Sequence, residues 1–230
     1  DRYLDSVSAD SGQFDVVETL AKPLPVRVIA ELLGLPEEDV PRFQKLSREF
    51  LGITAIGNGE LMDIGAAAAT ELIQYFDKVI ANKRQHPGND LISELLEVEE
   101  DGHRFSTEEL NSACIVLLIA GHETTTHLIG NGMYLLLRHP EQMQKLRDNP
   151  GLILNAIEGM LRFEPPVQFT VRTAREDVEL SNRKIKQGQL VMAVIASANR
   201  DPDQYVNPDC FDVAREDVNH VAFGYGIHLC

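Results

Sequence analysis

One uninterrupted helical pattern runs from Ser106 to the proline at position 140, and any fold for this chain must be built around it. Ser106 and Glu109 form a capping box, apolar residues then recur at helical spacing to roughly Arg138, and Pro140 stops the run. At 1.5 Å rise per residue, ~30 residues make a rod of roughly 45 Å, long enough to cross a whole domain. Flanking segments read the same way. The apolar spacing of Val26, Val28, Ile29, Leu32 and Leu33 ends at Gly34, and Pro36 opens a helix through Phe50. Residues 61–83, 90–98 and 140–147 carry further helices. After Pro165-Pro166 the pattern changes to alternation and turns. Val178-Glu179-Leu180 and Arg183-Lys184-Ile185 flank Ser181-Asn182, and Gly188 precedes the apolar run 190–196. From Asn199 onward Asp, Pro and Asn dominate, which predicts an irregular meander. The fold class is therefore mainly α with a small β-sheet region, without an internal repeat or a separating linker.

Composition narrows the partners. The 230 residues are 43% apolar, enough for one or two cores, and one domain is the default. Twenty-one Lys and Arg against 36 Asp and Glu give −15, which disfavours nucleic acid or an anionic membrane surface as the main partner. Cys114, Cys210 and Cys230 are widely spaced and form no C-x-x-C pair, so neither a disulfide framework nor a zinc knuckle is supported; a reducing, cytoplasmic setting fits. The longest apolar stretch, 114–121, falls far short of the ~20 residues a membrane span needs. The start, Asp1-Arg2-Tyr3-Leu4-Asp5, has neither an initiator Met nor a signal-peptide pattern, so the chain reads as cut at its front.

Two stretches can carry chemistry. Within the long helix, Ala120-Gly121-His122-Glu123-Thr124-Thr125-Thr126 is poor helical sequence, since glycine and β-branched residues lower helix propensity. Glu123 beside Thr124, with Gly121 removing bulk one turn earlier, can offer a carboxylate and a hydroxyl to a ligand and relay protons. The alternative is a kink whose threonines bond back to the preceding turn. The near match to H-E-x-x-H, His122-Glu123-x-x-x-His127, invites a metal-dependent hydrolase, but residues at i and i+5 lie ~140° apart around a helix and do not converge on one ion. The second stretch is Phe223-Gly224-Tyr225-Gly226-Ile227-His228-Leu229-Cys230. Two glycines let backbone approach a flat cofactor, Phe223 can pack near the sulfur, and a lone cysteine without a second thiol suits a single thiolate ligand to haem iron.

These residues resemble the cytochrome P-450 family of haem-thiolate monooxygenases, in particular its soluble bacterial members. A-G-x-E-T stands at 120–124, A-N-R-D-P at 198–202, F-D-x-x-R at 211–215 and F-G-x-G-x-H-x-C at 223–230, and Pro23-Leu24-Pro25-Val26-Arg27-Val28-Ile29-Ala30-Glu31-Leu32-Leu33-Gly34 also resembles the bacterial members. The resemblance covers essentially the whole chain. It implies a truncated P-450 fold over residues 1–230, lacking the family's N-terminal part and the helix after the cysteine, so that this polypeptide alone should hold haem weakly. It implies haem b as cofactor, with Cys230 as axial ligand to the iron and Phe223, Gly224 and Gly226 shaping the loop around it. Arg172 and His228 are expected on the propionates, and Glu123 and Thr124 in oxygen activation. Leu117, Leu118 and Ala120 would border the substrate space. A small organic substrate, O2, and a ferredoxin-type or flavin-type reductase are the implied partners.

One position departs from the family pattern. A Glu-x-x-Arg pair normally joins the later arginine in a buried network, and here the register reads Gly159-Met160-Leu161-Arg162, with Arg215 as the later arginine. Glu158, i to i+4 from Arg162, is the candidate partial substitute, although it projects about 100° around the helix from the expected glutamate site at position 159. The resemblance predicts that Gly159→Glu raises thermal stability and haem retention. Two other readings stay open on the residues: a non-enzymatic helical interaction protein, and more weakly the hydrolase using His122, Glu123 and His127.

Overall fold

The computed structural model of the chain describes residues 5, 13–54, 57–100 and 103–230; residues 1–4 of the N-terminal stretch discussed above lie outside the described residues. It forms two units, Asp1–Thr126 and His127–Cys230, and the boundary falls inside the long helix.

In the first unit, α1 (Pro23–Leu32) follows a π-helical turn at Val17–Ala21, whose first amides, those of Val17 and Glu18, donate to Asp15 Oδ1 at 2.8 and 3.1 Å. α1 ends as the glycine predicts. Gly34 takes φ 66°, its N–H donates to Glu31 O, and the Leu35 N–H donates to Ala30 O at 2.8 Å, which together satisfy carbonyls left open at the helix end. α2 (Val40–Phe50) starts four residues later than expected. Pro36 is extended, a 3₁₀ turn fills Glu37–Asp39, and the helix begins where Pro41, in its first turn, loses no needed hydrogen bond.

α3 (Gly59–Gln85) is capped by Asn58, and α4 (Leu91–Glu97) by Asp90, whose Oδ1 accepts from Ser93 N at 3.0 Å. Asp90 Oδ2 also takes Lys83 Nζ at 2.5 Å. Burial raises the Asp90 pKa, but the Lys83 and Ser93 hydrogen bonds outweigh it and hold the carboxyl below the usual range. After a two-residue hairpin, β1 (Glu99–Glu100) with β2 (His103–Arg104), comes α5 (Thr107–Arg138). Its capping box forms as read: Ser106 N donates to Glu109 Oε2 at 2.8 Å and Glu109 N to Ser106 Oγ at 3.2 Å. Leu110, Cys114, Ile115, Leu118 and Ile119 make its buried stripe against Phe43, Leu72 and Phe76. By length and mean hydropathy α5 is long and apolar enough to cross a bilayer, which the run 114–121 alone is not.

In the second unit, α6 (Pro140–Asp148) and α7 (Ile153–Phe163) pack with the end of α5 through Leu135, Leu136, Ala156, Met160, Phe211 and Val213. β3 (Thr170–Thr173), a strand not read from the sequence, pairs antiparallel with β6 (Leu190–Ala193) and sets Arg172 opposite Val191. The apolar run 190–196 is shared between β6 and a short helix, α8 (Ile195–Ala198). β4 (Val178–Leu180) and β5 (Arg183–Ile185) form the expected hairpin, with Ser181 and Asn182 at φ 48° and 61°, the positive values that a two-residue turn demands.

Candidate functional site

The stretch 120–126 is helical throughout, and the threonine back-bonding of the alternative reading is present. Thr124 Oγ1 donates to Ala120 O at 2.9 Å and Thr125 Oγ1 to Gly121 O at 3.4 Å. Gly121 has a different purpose from the ligand space expected of it: a Cβ there would lie 3.1 Å from Ile29 Cδ1 and Cγ1, so the glycine lets α1 pack closely on α5. Leu118 is fully buried in the core of the first unit, Leu117 packs partly buried against it, and Ala120 is exposed.

His122 is buried and its Nδ1 lies 2.7 Å from Leu118 O. A carbonyl can only accept, so Nδ1 carries the proton and Nε2 faces Glu123 Oε1 at 3.4 Å. His127 is exposed. The two histidines of the hydrolase reading thus stand in different environments, and among the described residues no cluster of three His, Cys, Asp or Glu side chains could hold an ion. Glu123 and Thr124 remain partly exposed. Because the Thr124 proton is directed to Ala120 O, its oxygen is left to accept from a bound molecule.

In the second unit, loop 223–230 folds back on itself. Gly224 and Gly226 both take φ 80°, a 3₁₀ turn covers Gly226–His228, and Cys230 N donates to Phe223 O at 3.0 Å, closing the loop. With the backbone turned inward, the side chains point out: Tyr225 is 91% and Ile227 98% exposed, and Phe223, Leu229, His228 and Cys230 are exposed too. All three cysteines are free. Arg172 is exposed on β3 and bonds within its own strand, to Thr170 Oγ1 at 2.6 Å and Val171 O at 2.9 Å. The structure therefore brings Glu123 and Thr124 together on one helix turn, and Phe223 to Cys230 together in one loop, while Arg172 is occupied locally.

The same unit holds the arginine pair. Arg162 is 1% exposed and donates to three carbonyls, those of Asn199 and Pro208 at 2.9 Å and of Cys210 at 3.2 Å. Arg215 donates to Val206 O and Asn207 O at 3.0 Å and to Cys210 O at 3.4 Å. Burial, and then the neighbouring Arg215 charge, lower the Arg162 pKa. Glu158 does not substitute for the missing carboxylate: its Oε2 lies 2.9 Å from His220 Nε2. Its turn on the helix, one residue off the required face, decides this. His220 Nδ1 in turn accepts from Ala222 N at 3.2 Å, fixing the base of the loop.

Asn199 is a functional position that residue types alone did not reveal. Fully buried, it accepts from Arg162 through its backbone carbonyl and from Val221 N through Oδ1 at 2.8 Å, so this one residue, by backbone and side chain, ties the arginine to the segment leading into the loop. Its place in the segment 198–202 was the only signal.

Residues 50–230 match the family Cytochrome P450. The chain is 40% identical over 219 residues to a biotin biosynthesis cytochrome P450 of Bacillus subtilis (strain 168), covering 95% of this chain and 55% of that protein. It is 42% identical over 229 residues to the cytochrome P450 monooxygenase PikC of Streptomyces venezuelae, covering 97% and 53%. Among solved structures it is similar to P450BioI in complex with hexadec-9Z-enoic acid ligated acyl carrier protein, at 39% identity and a TM-score of 0.94, covering 100% of this chain and 59% of that one. The chain spans about half the length of the curated relatives it matches.

Proposed function

The chain belongs to the cytochrome P450 family, and on that premise we propose that the protein carrying it is a haem-thiolate monooxygenase that inserts one atom of O2 into a small organic substrate and releases the other as water. One observation carries the reading: a closed glycine loop presents the exposed Cys230 among bare apolar side chains, and among the described residues no cluster of three His, Cys, Asp or Glu side chains could hold a metal ion. That donor set suits a flat apolar macrocycle whose iron takes one sulfur, and it does not suit a metal held by protein ligands alone.

Cys230 would hold haem b through its thiolate, with Phe223, Gly224 and Gly226 shaping the surface beneath the ring and Arg172 and His228 neutralising its propionates. When bound, such a group supplies oxygen reduction and O–O cleavage, which thiolate ligation favours. Thr124, its proton directed to Ala120, can accept a hydrogen bond at its oxygen, and the neighbouring Glu123 carboxylate can pass protons inward from solvent. Two electrons and two protons are needed for each oxygen atom inserted, and a ferredoxin-type or flavin-type reductase is the proposed donor. The free thiols support a cytoplasmic setting, and the −15 charge argues against a nucleic-acid or anionic membrane partner.

The absorption spectrum of the reduced, carbon monoxide-treated protein tests the reading. A strongly red-shifted Soret band that Cys230→Ser abolishes is expected. A histidine-like band unaffected by that substitution would overturn the assignment, and a full-length protein that takes up no haem would favour the non-enzymatic interaction protein.

A further inference from the structure

The arginine pair is left with two unmet donors. Arg162 Nε and Arg215 Nε are buried and have no hydrogen-bond partner, while the hydrogen bonds the two guanidiniums do make all go to backbone carbonyls, and Arg162 also lies over the Phe163 and Tyr205 rings. Both reach the same oxygen, Cys210 O, so two like charges share one neutral acceptor. The acids around them are engaged elsewhere: Glu164 and Asp209 pair with Arg200, Glu158 with His220, and Asp212 with Lys145. One turn before Arg162 stands Gly159, buried in α7, yet a Cβ built there would meet one atom within 4 Å, Asp212 O at 3.5 Å. That same oxygen accepts from the Arg215 backbone N–H at 3.2 Å, so the gap lies beside the backbone of Arg215 and one helix turn from Arg162.

A buried pair of unmet N–H donors is costly, and a guanidinium is shaped to satisfy two oxygens of one planar anion. We propose that the gap at Gly159 is a binding site for a small monocarboxylate of formate or acetate size, held by the Nε–H groups of Arg162 and Arg215. The like charges of the two arginines supply the attraction, and the volume a side chain would otherwise fill supplies the room. The ligand fastens α7 to the meander 199–215. The site is separate from Cys230 and does not depend on haem.

The test is thermal melting of the purified protein in sodium formate against sodium chloride at matched ionic strength. Formate should raise Tm along a single-site saturation curve, by about 2–4 °C at roughly five times its dissociation constant, with no such curve in chloride. Gly159→Glu places a carboxylate in the gap from within; it should melt as high as the formate-saturated protein and gain nothing from formate. Should that variant fail to fold, line broadening of 13C-formate by the native protein, lost in Gly159→Ala, gives the same answer. Identical, non-saturating responses to both salts would overturn the proposal, as would a Gly159→Glu or Gly159→Ala protein that responds to formate like the native one.

Discussion

The buried arginine pair and the cysteine loop lie in one unit, and each follows from a short sequence motif, yet their side chains are turned opposite ways. The Arg162 and Arg215 guanidiniums turn inward, and the chain's own carbonyls from Asn199, Val206, Asn207, Pro208 and Cys210 take their protons. Around Cys230 the backbone closes on itself and the side chains point outward. The first arrangement stabilises an irregular meander that has few backbone ladders of its own. The second adds little to stability within the chain, because its apolar groups are not withdrawn from water. A motif that binds its own chain and a motif that awaits a ligand can thus be told apart by the direction of the side chains, before any ligand is considered.

Arg162→Ala strikes the inward side hardest. Three charge-assisted hydrogen bonds and the packing of a fully buried side chain are lost, and a destabilisation of roughly 3–4 kcal/mol is expected in denaturant unfolding of the haem-free protein. A loss under about 1 kcal/mol would erase the contrast between the two regions. Gly226→Ala probes the outward side. Its Cβ would touch nothing within 4 Å, so the cost comes from the backbone at φ 80° alone, about 1–2 kcal/mol, and should appear chiefly as weaker haem retention. A stability loss matching that of Arg162→Ala would mean that the loop is packed like a core.

Asp212 gives the smallest effect, and it depends on pH. The Lys145 hydrogen bond, with the Ala214 amide, holds its carboxyl below the usual range. A depressed folded pKa contributes stability that is fully present above the unfolded value near 3.9 and is lost as pH falls through the folded one. Both partners are more than a third exposed, so the contribution is under about 1 kcal/mol. Asp212→Asn should therefore lower stability at pH 7 by less than about 1 kcal/mol, a difference that vanishes below about pH 4 and so flattens the acid limb; an unaltered acid limb would show that the Lys145 contact is idle.

What the sequence disclosed follows the same division. The capping box at Ser106, the stop at Gly34 and the hairpin at Ser181-Asn182 are local chemistry, readable because each residue acts on amides a few positions away. β3 escaped because its pairing with β6 lies across 17 residues and its four positions carry no alternation. The late start of α2 escaped because two prolines, Pro36 and Pro41, both signal a helix start and only geometry selects the second. In the candidate site the glycines and thiol were legible as a motif, whereas the role of Asn199 and the capture of Glu158 by His220 depend on tertiary placement, in the latter case across 62 positions. Gly121 shows the converse: a glycine read as space for a ligand is space for Ile29.

Amide hydrogen exchange of the purified protein, with and without haem, tests the contrast most directly. The account predicts that haem slows exchange at residues 223–230 while residues 199–215 and α7, already held by Arg162 and Arg215, keep the protection they had. A loop as protected without haem as with it, or a gain confined to the arginine region, would contradict the claim that one motif serves the chain and the other its cofactor.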